Sequence, residues 1–335
     1  MIQKPNNDCR TDILGKRPMH RNKEFSFLAT WNVLSLYKPG AIKQLMQVLS
    51  NYEIKIAALQ EIRWKEGGIS EMGEYVICNS GSSKRNQFGV GFLIHKSLKS
   101  SILQFDPINE RLCTLRMKGK FCNTLIICTH APTEEKEEHI KDQYYDELTR
   151  AFNKLNKYDR KIVMGDLNAK LGNNGQYRPN VGHYSIHNEE NDNGNRLADF
   201  AITNNLAVSS TLFPHKTIHK ITWQSPDGVT RNQTDHVLID SRHTRDISDV
   251  KTCRGADFDS DHFLVRIKFK PRISGAKRNT NEIRQKWDIA KFNNPGVVHS
   301  FRDEMRKILE ERPVGDNDVE IEWKQIKEGI QEVAG

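Results

Sequence analysis

The chain has 335 residues, 36% hydrophobic and 28% charged, enough apolar material for one large domain or two smaller ones with a well-buried core. Its 51 Lys and Arg exceed its 43 Asp and Glu, a net charge of +8 that favours phosphate-rich partners over acidic small molecules. No apolar run approaches a membrane span, and the six cysteines form no C-x-x-C pair, which argues against a zinc ribbon or a disulfide scaffold. Residues 1–24 are polar, Asn-rich and basic, lack the apolar segment of a secretory signal, and read as a disordered arm. A nuclear or cytoplasmic protein is expected, not a secreted or membrane one.

From residue 25 the texture changes. "FSFLATWNV" (25–33), "IKIAALQE" (54–61), "YVIC" (75–78), "VGFLIH" (90–95), "LCTLRM" (112–117), "TLIICTHA" (124–131) and "KIVMGD" (161–166) are short β-branched or apolar runs between polar turns. "AVSS" (207–210), "ITW" (221–223), "DHVLI" (235–239) and "HFLVRIKF" (262–269) continue the series. Helical periodicity falls at 40–51, 135–157 and 194–204, the second carrying Ile140, Tyr144, Leu148, Phe152 and Leu155 on one face. Strands come singly and in pairs between few helices. That pattern predicts an α+β fold of two packed mixed sheets flanked by helices, a four-layer α/β sandwich.

The strand-rich body spans 25–270. Residues 271–286 have the composition of a linker, and 297–309 and 319–334 are amphipathic helices in prediction, striped by Val297, Phe301, Met305 and Ile308 and by Trp323, Ile326, Ile330 and Val333. The tail holds as many basic as acidic residues, so the whole surplus of positive charge belongs to residues 1–270. Its two apolar stripes make a protein partner the natural expectation for this segment.

Costly polar residues recur where strands surface. Asn32 stands at the end of "ATWN", Glu61 at the end of "AALQE", His130 in "ICTHAP", Asp166 and Asn168 in "MGDLN", Asp235 at the start of "DHVLI", and Asp261 with His262 before the last strand. Each alone reads as a turn residue bonding its own backbone. Together, six such strand ends would converge on one edge of the sandwich, where gathered carboxylates repel unless a cation or a reaction uses them.

The ordered set "WNV", "LQE", "GDLNAKLG", "TDHVLI" and "SDH" resembles the endonuclease/exonuclease/phosphatase superfamily, whose fold is deoxyribonuclease I-like. Within it, "HAPTE", "NDNGNRLADF" and "TWQSPDGVTRNQTDHVLID" are most similar to endonuclease domains of RTE-type non-LTR retrotransposons, and the tail is similar to the segment that precedes reverse transcriptase there. The resemblance implies a metal-dependent DNA endonuclease leaving a 3′-hydroxyl and a 5′-phosphate. It assigns Glu61, with Asn32 and Asp261, to a hard cation, Mg²⁺ or Mn²⁺. It makes Asp166 the residue that orients or deprotonates water, with Asn168 pointing the same way along an extended segment to donate its amide to phosphate. His262 would face the scissile phosphate, with Asp235 on its other ring nitrogen. Trp223 would stack on a sugar or base, or belong to the core.

Two departures stand out. His130 occupies the place of a family tyrosine, where it could donate a hydrogen bond to phosphate. Leu34 occupies a position that is acidic in abasic-site repair endonucleases, which counts against that rival reading. Two further rivals are a small-ester phosphatase of the same fold and a catalytically idle, domesticated binding protein.

Overall fold

The computed structural model describes residues 26–82, 87–270 and 289–310, and in the tail also residues 323, 326, 329, 330 and 333. The expected arm, the linker and most of the second tail helix lie outside the described residues. Two compact units form, Met1–Ala276 and Lys277–Gly335.

In the first unit the strands are β1 (Ser26–Asn32), β2 (Ile54–Gln60), β3 (Gly68–Met72), β4 (Tyr75–Asn79), β5 (Gly91–His95), β6 (Ile102–Asn109), β7 (Leu112–Met117), β8 (Thr124–His130), β9 (Arg160–Asp166), β10 (Leu206–Val208), β11 (Trp223–Gln224), β12 (Arg231–Asn232), β13 (Asp235–Asp240), β14 (Ile247–Cys253) and β15 (Leu264–Phe269). The helices are α1 (Ala41–Asn51), α2 (Glu138–Asn153) and α3 (Asp192–Thr203). One sheet runs β14-β15-β1-β2-β5-β4-β3, the other β10-β13-β9-β8-β7-β6, and β11 with β12 makes a small hairpin.

The continuous apolar runs follow from burial on both sheet faces. Along β2, Ile56 and Ala58 meet the other sheet, while Ala57 and Leu59 pack outward with Leu45 and Leu49 of α1. Along β9, Ile162 and Met164 face the first sheet, and Val163 packs with Leu148 and Phe152 of α2 and Leu197 of α3. The result is the expected four-layer sandwich. The strands missing from the sequence reading are those without such a run. β3 is almost wholly exposed, and β6 is mostly exposed with three half-buried positions. β14 buries only part of its length.

In the second unit, α4 (Pro295–Glu310) falls on the predicted stripe. Residues 323, 326, 329, 330 and 333 are helical. A Cβ at Gly329 would lie 3.4 Å from Ile308 and 3.6 Å from Met305, so this helix packs closely against α4.

Two features at the β9–β13 seam lend themselves to test. Gly165 pairs with Thr129 across β8, and a Cβ there would meet the Thr129 carbonyl oxygen at 1.8 Å. Gly165→Ala should therefore cost about 3 kcal/mol or more in urea unfolding, and wild-type stability would contradict this packing.

His236 is fully buried, with Nε2 donating to the Ala169 carbonyl at 2.8 Å and Nδ1 accepting from the Ser210 hydroxyl at 2.8 Å. Burial pushes its pKa down to about 4, and the same cause takes His187 to about 4. Above about pH 6.5 both rings are neutral folded and unfolded, and their contribution to stability is complete. As pH falls from there towards 4, the unfolded chain binds protons that the fold refuses, and stability drops by up to about 3 kcal/mol for fully buried His236 and by less for part-exposed His187. His236→Gln should flatten the stability-against-pH curve in this window, read by denaturation at a series of pH values. An unchanged slope would refute the assignment.

Candidate active site

Parallel strands surface at the same end of a sheet, and this places the polar residues. β1 and β2 run parallel with Asn32 opposite Gln60, so Asn32 and Glu61 emerge side by side. β8 and β9 run parallel with His130 opposite Asp166, and antiparallel β13 sets Asp235 on the other flank of Asp166. His262 lies just before β15, the neighbour of β1.

Asn32 joins the two sheets. Its amide nitrogen lies 2.9 Å from Glu61 Oε1 and 3.1 Å from Asp166 Oδ2, donating to both. Its Oδ1 accepts from the Leu34 amide at 3.0 Å, which fixes which end of the amide faces the carboxylates. Asp235, at 0% exposure, accepts from His262 Nδ1 at 3.0 Å, and His262 Nε2 lies 3.6 Å from Asp166 Oδ2. Neighbours hold this pair in place. The Trp31 indole donates to the His262 carbonyl at 2.9 Å. The Thr222 hydroxyl accepts from the amides of Thr234 at 2.9 Å and Asp235 at 3.1 Å.

The two histidines differ in charge. Burial opposes the imidazolium of His262, but Asp235 and Asp166 outweigh it and raise the pKa to about 10. Burial lowers the pKa of His130, and Asp166 and Glu61 only partly offset this. Burial raises Asp166, with His262 opposing, which makes it a stronger base than an ordinary carboxylate. Burial also pushes Glu61 up, but the charge of His130 and hydrogen bonds from Asn32 and Arg63 reverse it, leaving it lowered. Arg63 stands 2.5 Å from Glu61 Oε2 and Asn32 2.9 Å from Oε1.

Asn168 departs from expectation. It does not continue an extended segment: its φ is 47°, its backbone amide donates to Asp166 Oδ1 at 3.1 Å, and its side chain donates to the Ala131 carbonyl at 3.0 Å. Asn168 thus orients the base through its backbone. Leu34, Glu61, Arg63 and Asn168 all adopt left-handed backbone, costing on the order of 1–3 kcal/mol each and clustering at this site. The loop is backed by α3, whose N-cap Asn191 accepts from the amides of Lys170 and Gly194, both at 2.8 Å, and donates to the Asn168 carbonyl at 3.0 Å. Glu134 accepts from the amides of Asp192 at 3.0 Å and Asn193 at 3.3 Å. The segments "HAPTE", "GDLNAK" and "NDNGN" therefore form one bonded unit.

For a cation, the donors fit a hard ion. Glu61 offers a carboxylate, and Asp261 has one oxygen held by the Trp223 indole at 2.8 Å while its Oδ1 is buried and unpaired. Among the described residues, the His, Cys, Asp and Glu donors that converge in a group of three within 4.8 Å are Asp166, Asp235 and His262. That trio is bound by the Asp235–His262 hydrogen bond, which an ion on Nδ1 would break. Its geometry is that of a proton relay.

The structure thus gathers Asn32, Glu61, His130, Asp166, Asn168, Asp235 and His262 at one edge, with Asp261 and Trp223 attached beside His262 through the bridge from Trp223. Trp223 is half-buried with its indole N–H committed to Asp261. The sequence reading missed Arg63, Thr222 and Trp31. Arg63 lies two residues past Glu61, and Trp31 and Thr222 lie inside quoted motifs, but nothing in the sequence gives Thr222 its part as acceptor for the backbone entering β13.

Comparison with known proteins agrees with this geometry. The sequence profile of the Endonuclease/Exonuclease/phosphatase family matches residues 29–262. Craniofacial development protein 2 of Tragulus javanicus is 32% identical over 267 residues, covering 78% of this chain and 46% of that protein. The chain therefore spans about half the length of this curated relative. The catalytic domain of Xenopus laevis APE2 superposes with a TM-score of 0.60 at 17% identity, over 75% of this chain and 94% of that one. The endonuclease domain of TRAS1, a telomere-specific non-LTR retrotransposon, gives 0.54 at 11% identity, over 74% and 100%. These two likenesses establish the shared fold. With its profile match, its relative and its strand-end residues all in register, the chain belongs to the endonuclease/exonuclease/phosphatase family.

Proposed function

We propose that this chain is a metal-dependent DNA endonuclease, derived from a non-LTR retrotransposon, that leaves a 3′-hydroxyl and a 5′-phosphate. The observation that carries this reading is the buried line Asp235–His262–Asp166 beside Asn32 and Glu61. A phosphodiester repels nucleophiles, so its cleavage needs positive charge, a base and an oriented water. His262, charged well past neutrality, faces the phosphate and offsets its negative oxygens. Asp235 holds the ring by Nδ1, leaving Nε2–H directed at the substrate. Asp166 takes the proton of the attacking water, whose oxygen bonds to phosphorus as the bond to the 3′ oxygen breaks and that oxygen takes a proton from solvent. Asn168 fixes the lone pairs of Asp166 through its backbone amide, and the second hydrogen of its side-chain amide is left for a phosphate oxygen. A Mg²⁺ or Mn²⁺ ion held by Glu61 and Asp261 would supply charge that offsets what gathers on the departing oxygen, while Asn32, expected among the ligands, spends its Oδ1 on the Leu34 amide and its amide hydrogens on Glu61 and Asp166 and so holds those carboxylates in place.

Supercoiled plasmid tests the reading. Nicking of undamaged plasmid with Mg²⁺, abolished by a chelator, is the expected outcome. Cleavage confined to abasic DNA would favour the repair reading, and no cleavage the idle binding protein. Glu61→Gln should fold normally yet weaken Mg²⁺ binding in calorimetry, and unchanged affinity would remove Glu61 from the ligand set. His262→Ala should lower the nicking rate by roughly 10²–10⁴-fold. Asp235→Asn should also be severe, because an amide no longer favours the imidazolium or its tautomer. The double variant should be little worse than the worse single one. Folded single variants that nick at the wild-type rate would refute the roles given to this pair.

A further inference from the structure

Among the described residues, His130 is the one strand-end residue whose ring has no bonded partner in this network. Its backbone is held on both sides: the amide donates to the Arg111 carbonyl at 3.0 Å, and its carbonyl accepts from Arg111 Nη1 at 3.1 Å. Phe88 packs edge-on to the ring at 6.1 Å between centroids, with the Arg111 guanidinium stacked 4.0 Å from the Phe88 centroid. The residue is 5% exposed, yet Nδ1 has no hydrogen-bond partner. Nε2 stands 3.8 Å from Glu61 Oε1 and 3.8 Å from Asp166 Oδ2.

Those separations are too long for hydrogen bonds. They are close to the spacing of two donors on a common ion, about 3–4 Å when each lies about 2.1 Å from it. Glu61, His130 and Asp166 do not converge as a trio within 4.8 Å, so one ion can be shared with only one of the two carboxylates. Glu61 is that carboxylate, because Asp166 already belongs to the line with His262 and Asp235. An imidazole has a lone pair to give, and Nε2 is the ring nitrogen that stands beside Glu61.

We propose that His130 is a nitrogen ligand of the ion held by Glu61, and that it shifts the site's preference from Mg²⁺ towards Mn²⁺. The inference rests on the metal-dependent reading above. An all-oxygen site suits Mg²⁺, whereas imidazole favours first-row transition ions. A phenol at this position would lack that effect.

The test needs neither DNA nor turnover. Mn²⁺ bound to the full chain should show nitrogen coupling in pulsed electron paramagnetic resonance. The coupling should change isotope in protein labelled with ¹⁵N-histidine, persist in His262→Ala, and vanish in His130→Phe. By calorimetry His130→Phe should weaken Mn²⁺ roughly 10–100-fold while Mg²⁺ changes by less than about threefold. Bound Mn²⁺ without nitrogen coupling in the wild-type chain would overturn the assignment even if the variant fails to fold. Equal weakening of both ions in a folded variant would also overturn it. Either result leaves the metal-dependent reading standing. Failure of the wild-type chain to bind either ion would remove both.

Discussion

The site depends on one constraint: an ionised carboxylate placed out of reach of water must be answered by a charge and by hydrogen bonds. Asp235 lies in the core of the sandwich, and His262 answers it. Much of the nearby structure serves to keep that answer in place. Trp31 holds the His262 carbonyl, Thr222 holds the backbone entering β13, and the Ser260 hydroxyl, which accepts from the His262 amide, donates to the Asn32 carbonyl. Those bonds tie β1, β13 and the segments that precede β11 and β15 to one ion pair. Removing either charge would leave the other buried and uncompensated, so the pair resists piecemeal change.

The fold beyond the pair explains why a sheet sandwich suits this arrangement. Each sheet contributes a parallel pair whose members surface together, β1 with β2 and β8 with β9. Asn32 then spans the gap between sheets with a single amide. The helices act at a distance from the chemistry. α3 caps its own N-terminus with Asn191 and in doing so fixes the loop that carries Asn168. Gly194 allows this approach, since a Cβ there would meet the Lys170 carbonyl at 1.9 Å.

Much of this was legible in the sequence because buried strands and their polar ends are locally encoded. A run such as "KIVMGDLN" states both where the core stops and which side chains appear there. Edge strands such as β3 and β6 were not legible, because their residues face water and carry no apolar run. The turn of Asn168 was missed for another reason. Its left-handed backbone is imposed by bonds to Asp166, Ala131 and Asn191, the last two far along the chain, and local pattern favours continued extension. Thr222 belongs to the same class, a residue whose part is set by where a distant strand begins.

The two buried histidines carry the last step. Both sit at strand ends within 4 Å of Asp166, and both are shielded from solvent. Composition and distance to the shared carboxylate would give them the same protonation state. What separates them most is Asp235, which His262 has on Nδ1 while the Nδ1 of His130 has no partner; Arg111 lowers His130 further and Asp261 raises His262. The first ring is thereby held charged and the second held neutral, on either side of one carboxylate. The proposed reading, a phosphate met by positive charge beside a bound metal, calls for both forms at once, and the buried Asp235 is the largest source of the difference.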